Sequence, residues 1–324
     1  MKGTDTIRYR VAPVRSPGVL RTMSRVALFF ALSVSVAAVA PGCDLASRER
    51  VQSTHRMNEG IKAEKKGNTS TAERSLKEAI EIDPTNAKAH YTLGLVYQKQ
   101  SKLVDAAKAF QDAVDNMGDA PDPNYIFKLG VVTAAQGEEP GSSQADKETK
   151  YKDAIAKYQE TIKLDPNHHQ ASYRMGVLYE RLDNPVQADS AFRKAIEVDP
   201  TFSASFVSLG NMYIDYGHAN VGQAVLETGV KVNDKDADMW NGLGRAQRAL
   251  NKPKDAVESF KTAKAIDPDM PDVLFGLGMA YADLRQRKEA VEALQGFLTK
   301  AGNEVPEHLK RAANSTIARM QDVI

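Results

Sequence analysis

Small and large apolar residues recur at helical spacing along most of the chain. Leu243-Gly244, Ala256 and Phe260 fall on one stripe of two successive amphipathic segments, and Met175-Gly176, Ala188 and Phe192 repeat the arrangement. The small residue lets a second helix approach closely, and the large one fills the neighbouring gap. Asp-Pro pairs at Asp83-Pro84, Asp165-Pro166, Asp199-Pro200 and Asp267-Pro268 close the second segment of a unit. Proline cannot extend the helical ladder, and it disfavours helix in the residue before it. The pattern predicts an all-α chain of helix-turn-helix units.

Seven glycines set the period. Gly60, Gly94, Gly130, Gly176, Gly210, Gly244 and Gly278 are separated by 34, 36, 46, 34, 34 and 34 residues. A period in this range is the signature of stacked repeats. The clearest unit runs from Asp238 to Pro268, with Trp240, Leu243-Gly244, Ala256, Phe260 and the closing Pro268. It resembles the tetratricopeptide repeat, although Gln247 stands where a Tyr is expected. Tyr97, Ala106 and Phe110 follow Leu93-Gly94 in the same register; Tyr281, Ala290 and Leu294 follow Leu277-Gly278. The first unit is degenerate (Gly60, Ala72, Leu76, Ala79, Pro84), and the third closes with Ala154, Tyr158 and Pro166. The resemblance covers seven units over residues 53–302 and implies a right-handed helix-turn-helix solenoid. Its helix pairs bury their apolar faces only by stacking. Residues 303–324 read as a capping helix with Leu309, Ala312, Ala313, Ile317 and Met320 on one side.

Two units depart from the pattern. The third carries about twelve extra residues, within 137–150, whose Pro, Gly, Ser and charges predict a solvated loop. The fifth has Gly222 and Gly229 inside its second helix and lacks a closing proline, so it is predicted to be the locally weakest point.

The N-terminus has a different character. Val26 to Ala40 form a run of fifteen uncharged residues preceded by Arg21 and Arg25. A basic stretch followed by a short apolar run is the pattern of an export signal, and the run falls short of the roughly 20 residues of a membrane span. Met23 offers an alternative start. Ala40-Pro41-Gly42-Cys43 resembles the lipobox of bacterial lipoproteins, which implies a signal peptide over 1–43, acylation of Cys43 and a linker over 44–52. Two acyl chains suffice for stable anchoring. The expected location is the periplasmic side of the inner or outer membrane; cleavage nearby without acylation would leave a soluble periplasmic protein.

Charge and composition narrow the chemistry. The chain is 42% hydrophobic and 26% charged, a folded composition. Of its net charge of +1, residues 1–43 contribute +5 and leave −4 for the remainder. Such a body lacks the basic footprint that phosphate neutralisation needs, so nucleic acid is not an expected partner. A single cysteine excludes an intramolecular disulfide and a cysteine-based metal site. His168-His169 is the one histidine pair and has no Cys or carboxylate partner at ligand spacing. Gly242-Leu-Gly244 and Gly276-Leu-Gly278 lack the third glycine and preceding strand of a phosphate loop. No catalytic constellation emerges, so the reading is a non-enzyme without cofactor or metal.

In the family that the repeats resemble, first helices line a concave groove that takes a peptide or partner helix. The residues assigned to it are Tyr91, Gln98, Phe127, Tyr173, Glu180, Asn211, Asp215, Asn241, Arg245, Arg248, Phe275 and Met279. Aromatic and Arg side chains are frequent hot spots. Some members clamp a carboxylate with Lys, Asn and Arg; Asn211 and Arg245 are present here, but the lysines are missing. The resemblance implies a scaffold for protein partners. With an anchor, it is similar to pilotin-type lipoproteins that help a pilus or secretion channel assemble. The alternative is an accessory that recruits a cell-wall or polysaccharide-synthesis enzyme.

Overall fold

The computed structural model describes residues 41–302 and 305–321, with side chains from residue 48 onward. The export-signal reading over residues 1–40 and the side chain of Cys43 lie outside them. The described residues form fifteen α-helices and no strand. Seven antiparallel pairs follow in order: α1 (Pro41–Lys65) with α2 (Thr69–Ile82), α3 (Ala87–Lys99) with α4 (Leu103–Asp115), α5 (Pro123–Gly137) with α6 (Gln144–Leu164), and α7 (His169–Arg181) with α8 (Pro185–Val198). Next come α9 (Ser203–Asp215) with α10 (Ala219–Val232), α11 (Ala237–Ala249) with α12 (Pro253–Ile266), and α13 (Pro271–Asp283) with α14 (Arg287–Lys300). A final helix, α15 (Glu307–Gln321), packs on α13 and α14.

Local chemistry sets the helix ends. Asn68 and Asn86 accept from the backbone N–H groups of Thr71 and Ala89 at 3.1 and 3.0 Å, capping α2 and α3. Pro123, Pro185, Pro253 and Pro271 open four helices, where a missing N–H leaves no bond unmade. Six of the seven first helices end on a left-handed residue: Gly67, Ser101, Asp183, Gly217, Asn251 and Arg285, with φ from 53° to 81°. Four of the seven second helices, α2, α6, α8 and α12, end on an extended Asp whose carboxylate accepts from the N–H two residues on. The distances are 3.0 Å for Asp83–Thr85 and Asp165–Asn167, and 2.9 Å for Asp199–Thr201 and Asp267–Asp269. In the fifth unit Asn233 makes the same bond to Lys235 at 3.1 Å, without a proline.

The repeat glycines are sites of close approach. An added Cβ would fall 2.7 Å from the ring of Phe110 at Gly94, 2.7 Å from Phe192 at Gly176, and 2.8 Å from Phe260 at Gly244. Each ring lies sixteen residues after its glycine on the paired helix and is fully buried. At Gly130 the partner is Tyr158, twenty-eight residues on, so the insertion lengthens the unit without disturbing this contact.

Two expectations need correction. Residues 44–52 are helical, as part of α1, and not an irregular linker. No breaker follows Gly42, and the helix continues to Ser53 and Met57, which are buried. Of the insertion read as a loop, only Glu138 to Ser143 is irregular. The rest adds two turns to the start of α6, which Ser143 and Asp146 open as a reciprocal capping box. Glu138 accepts from the hydroxyl of Tyr151 and the guanidinium of Arg181, tying the turn to α6 and α7.

Candidate binding groove

First helices of consecutive units touch directly in the C-terminal half: α7 on α9, α9 on α11, α11 on α13, and α13 on α15. Together α9, α11, α13 and α15 wall a groove of about 1020 Å³. Five of the residues assigned to a groove from the repeat register line it: Asn211, Asn241, Arg245, Arg248 and Phe275. Asp215 joins through Arg245, which donates from Nη2 to Asp215 Oδ1 at 2.9 Å and from Nη1 to Asn211 Oδ1 at 2.8 Å. Arg248 donates through Nε to Asp283 Oδ2 at 2.8 Å. These pairs are substantially exposed and contribute little stability. Their consequence is geometric: both arginines are committed to carboxylates on adjacent helices.

Two acids, Asp238 and Asp272, carry the remaining charge of the groove, and the assigned Glu180 stands outside its lining on α7. Glu180, half-buried on α7, has its carboxyl raised above the usual range by burial and by Asp215, with Arg181 opposing. Asp238 and Asp272 stand in the first turns of α11 and α13 and line the groove. Asp238 keeps an exposed edge, yet partial burial of its carboxyl raises its pKa, and Asp236, Asp267 and Asp272 push the same way. The side-chain oxygen of Asn241 is buried without a hydrogen-bond donor. Among the described residues no three His, Cys, Asp or Glu side chains converge as a metal site would need.

The other assigned residues do not join this groove. Phe127 is 6% exposed and packs at 4.5 Å from the ring of His168 and 5.7 Å from that of Tyr158, so it is core. Met279 is covered by α15, where it packs among Leu309 and Ile317 and the Thr316 hydroxyl points at its sulfur from 3.7 Å. Tyr91 stacks on Tyr125 at 4.5 Å, and Tyr173 packs on Phe202 at 5.2 Å and Phe192 at 5.9 Å. Both rings are half-buried between helices. Gln98 is half-buried on α3, away from the groove.

The register reading missed Val207, Asp238, Asp272 and Leu309, all of which line the groove. Each had a signal. Val207 stands three residues before its repeat glycine, as do Asn241 and Phe275. Asp238 and Asp272 stand six before theirs, and Leu309 follows Phe275 by one period of 34. Thus α15 acts as the first helix of an incomplete eighth unit.

Comparison with known proteins agrees with the repeated helix pairs. A family profile described as "TPR repeat" matches residues 65–101, and profiles described as "Tetratricopeptide repeat" match residues 145–201, 208–271 and 272–303. These segments take in more than half of the chain. Human tetratricopeptide repeat protein 7B is 29% identical over 123 residues, which are 38% of this chain and 15% of that protein. The chain therefore spans a small part of that relative. A tetratricopeptide repeat protein from Parabacteroides merdae superposes with a TM-score of 0.58 at 17% identity, over 83% of this chain and 98% of that one. PilW, named as a widely conserved type IV pilus biogenesis factor, superposes with a TM-score of 0.55 at 15% identity, over 68% of this chain and 96% of that one.

Proposed function

Because this chain belongs to the tetratricopeptide repeat family, we propose that it works as a protein-binding adaptor, holding a partner segment in the groove walled by α9, α11, α13 and α15. The observation that carries this reading is the groove itself: about 1020 Å³ of concave surface where Phe275 and Val207 offer apolar contact beside the polar groups of Asn241 and Arg245. Concave surfaces of this kind suit a peptide or helix, because polar groups fix orientation while apolar walls supply affinity.

The adaptor acts in the cell envelope, anchored by a lipid on Cys43, and assists assembly of a membrane complex such as a pilus or secretion channel. Arg21, Arg25, the uncharged run Val26 to Ala40 and Cys43 support the location. PilW has the same fold. Among the described residues no helix is long and apolar enough to cross a membrane.

Photocrosslinking tests the partner. A benzophenone amino acid at Asn241, in living cells, should capture a pilus or secretion component, while the same group at exposed Val104 on α4 should not. Capture of a glycan-synthesis enzyme at Asn241 moves the reading to recruitment of that enzyme. Equal yields at both positions would exclude the groove. Anchoring is tested separately: Cys43→Ser should move the protein from the membrane to the soluble periplasmic fraction, and an unchanged membrane fraction with cleavage intact would rule out the lipid.

A further inference from the structure

Resting on the groove reading, we propose that the groove selects a basic protein segment, seating a lysine or arginine side chain at Asp238 and Asp272 and an apolar neighbour against Phe275 and Leu309.

Charge pairing leads to this assignment. The groove holds two cations, and both are already matched: Arg245 by Asp215 and Arg248 by Asp283. A ligand carboxylate would meet arginines whose charge a neighbouring carboxylate already offsets. Asp238 and Asp272 are in the opposite situation. Among the described residues neither has a cationic partner, and the charges acting on Asp238 are the carboxylates of Asp236, Asp267 and Asp272. First-turn acids interact favourably with a helix N-terminus, but that accounts for each acid alone and not for their convergence on one groove.

A second observation is independent of charge. Asn241, one turn along α11 from Asp238, has a buried side-chain oxygen that receives no hydrogen bond. Leaving a buried acceptor unpaired costs about 1–3 kcal/mol, so a ligand carrying a donor able to reach this oxygen is favoured. An ammonium carries three N–H donors and no acceptor, and a guanidinium carries five. Either has donors enough for two carboxylates and an amide oxygen. Val207, Phe275 and Leu309 supply apolar wall beside these groups. The net charge of −4 over residues 44–324 adds a favourable long-range field for a basic partner.

The test uses the full-length protein and short fluorescein-labelled peptides of one Ser-Gly frame, differing only in a central Leu-Lys-Leu-Lys, Leu-Ser-Leu-Ser or Leu-Glu-Leu-Glu. Anisotropy titrations at low and high salt give the affinities. The lysine peptide should bind about tenfold tighter than the serine peptide, with the glutamate peptide weakest and the differences shrinking in salt. In the Asp238→Asn/Asp272→Asn double variant, the lysine peptide should fall to the level of the serine peptide. The double variant's far-UV circular dichroism and urea midpoint, compared with the parent's, report whether the fold is intact. Lysine and glutamate peptides that bind equally would overturn the charge assignment and leave the adaptor reading standing. Undiminished lysine-peptide affinity in the double variant would do the same. No binding by any of the three peptides would overturn both.

Discussion

The substitution Gly229→Ala separates local helix propensity from packing. Gly229 lies inside α10, where glycine costs about 1 kcal/mol relative to alanine. On propensity alone the substitution should stabilise the fifth unit by that amount. The surroundings reverse the sign. An added Cβ would fall 2.5 Å from the sulfur of Met239, 3.0 Å from Phe206 Cβ and 3.1 Å from Phe206 Cγ. The sulfur belongs to a flexible side chain, but Met239 is only 1% exposed and is enclosed by its neighbours. Phe206 Cβ is held by the backbone of α9. Overpacking of this kind costs about 1–3 kcal/mol, so Gly229→Ala should destabilise the protein by about 1 kcal/mol net.

The neighbouring units identify the compensating change. At the positions equivalent to Gly229 and Met239 they pair Ala79 with Ala89, Ala195 with Ser205, and Ala263 with Val273. In the fifth unit the volume has moved from one side of the contact to the other. Met239→Val alone should cost about 1–2 kcal/mol through the space it opens. Combined with Gly229→Ala it should reproduce the Ala263–Val273 contact and recover wild-type stability, a coupling of at least about 1 kcal/mol. Urea denaturation followed by circular dichroism gives the four stabilities. Hydrogen exchange at α9, α10 and α11 localises the effect, because a repeat array need not unfold in one step. A stabilising Gly229→Ala, or strictly additive single effects, would refute the volume exchange.

Three further outcomes follow from single positions. His168 caps α7 by accepting from the N–H of Ala171 at 3.1 Å, and burial, partly opposed by Asp165, holds its imidazole below the usual histidine range. The folded chain therefore favours neutral His168: its contribution is complete above the unfolded pKa of about 6.5 and is lost as pH falls from there toward the folded value. His168→Asn, which keeps an acceptor but does not titrate, should melt with a shallower pH dependence between neutral and mildly acidic pH, and an unchanged slope would refute this. Arg285 is exposed with φ of 57° where the first and fifth units have glycine, so Arg285→Gly should raise stability by about 1 kcal/mol in urea titrations. Phe127→Ala should cost about 3–5 kcal/mol, as for a core ring and unlike a groove contact; a near-neutral result in the same titrations would return Phe127 to the surface.

What the sequence made legible follows from which forces are periodic. Contacts such as Gly94 with Phe110, or Gly176 with Phe192, recur in register because identical helix pairs meet identically, so spacing alone exposed the helices and most of the core. The exchange at Gly229 was hidden because its partner lies in the next unit, and only the packed structure shows that Met239 fills the space. The helical half of the insertion was missed through weighting polar composition over capping: Ser143 with Asp146 three residues on is a helix start that could have been read directly.

The groove assignment divides along the same line, and α15 shows why. Register specifies which face a first helix presents, but not whether a neighbour covers it. At three residues before the glycine, Tyr91, Phe127 and Tyr173 meet other rings, Tyr125, His168 and Phe202, and the aromatic character that marked them as contacts is used in packing. In the later units Val207 and Asn241 occupy that position without rings, and successive first helices touch, so the face stays open. There α15 does two things at once. Its Ala313 and Ile317 join Leu274, Leu294 and Phe297 in closing the end of the core, which a solenoid terminus requires. Its Leu309, one period beyond Phe275, extends the groove wall past the last complete unit. The same helix packs on Met279, leaving it half-buried, and supplies Leu309 to the wall. Capping and groove formation at this end are therefore one packing event, and a truncation that removed α15 would expose the core and open the groove together.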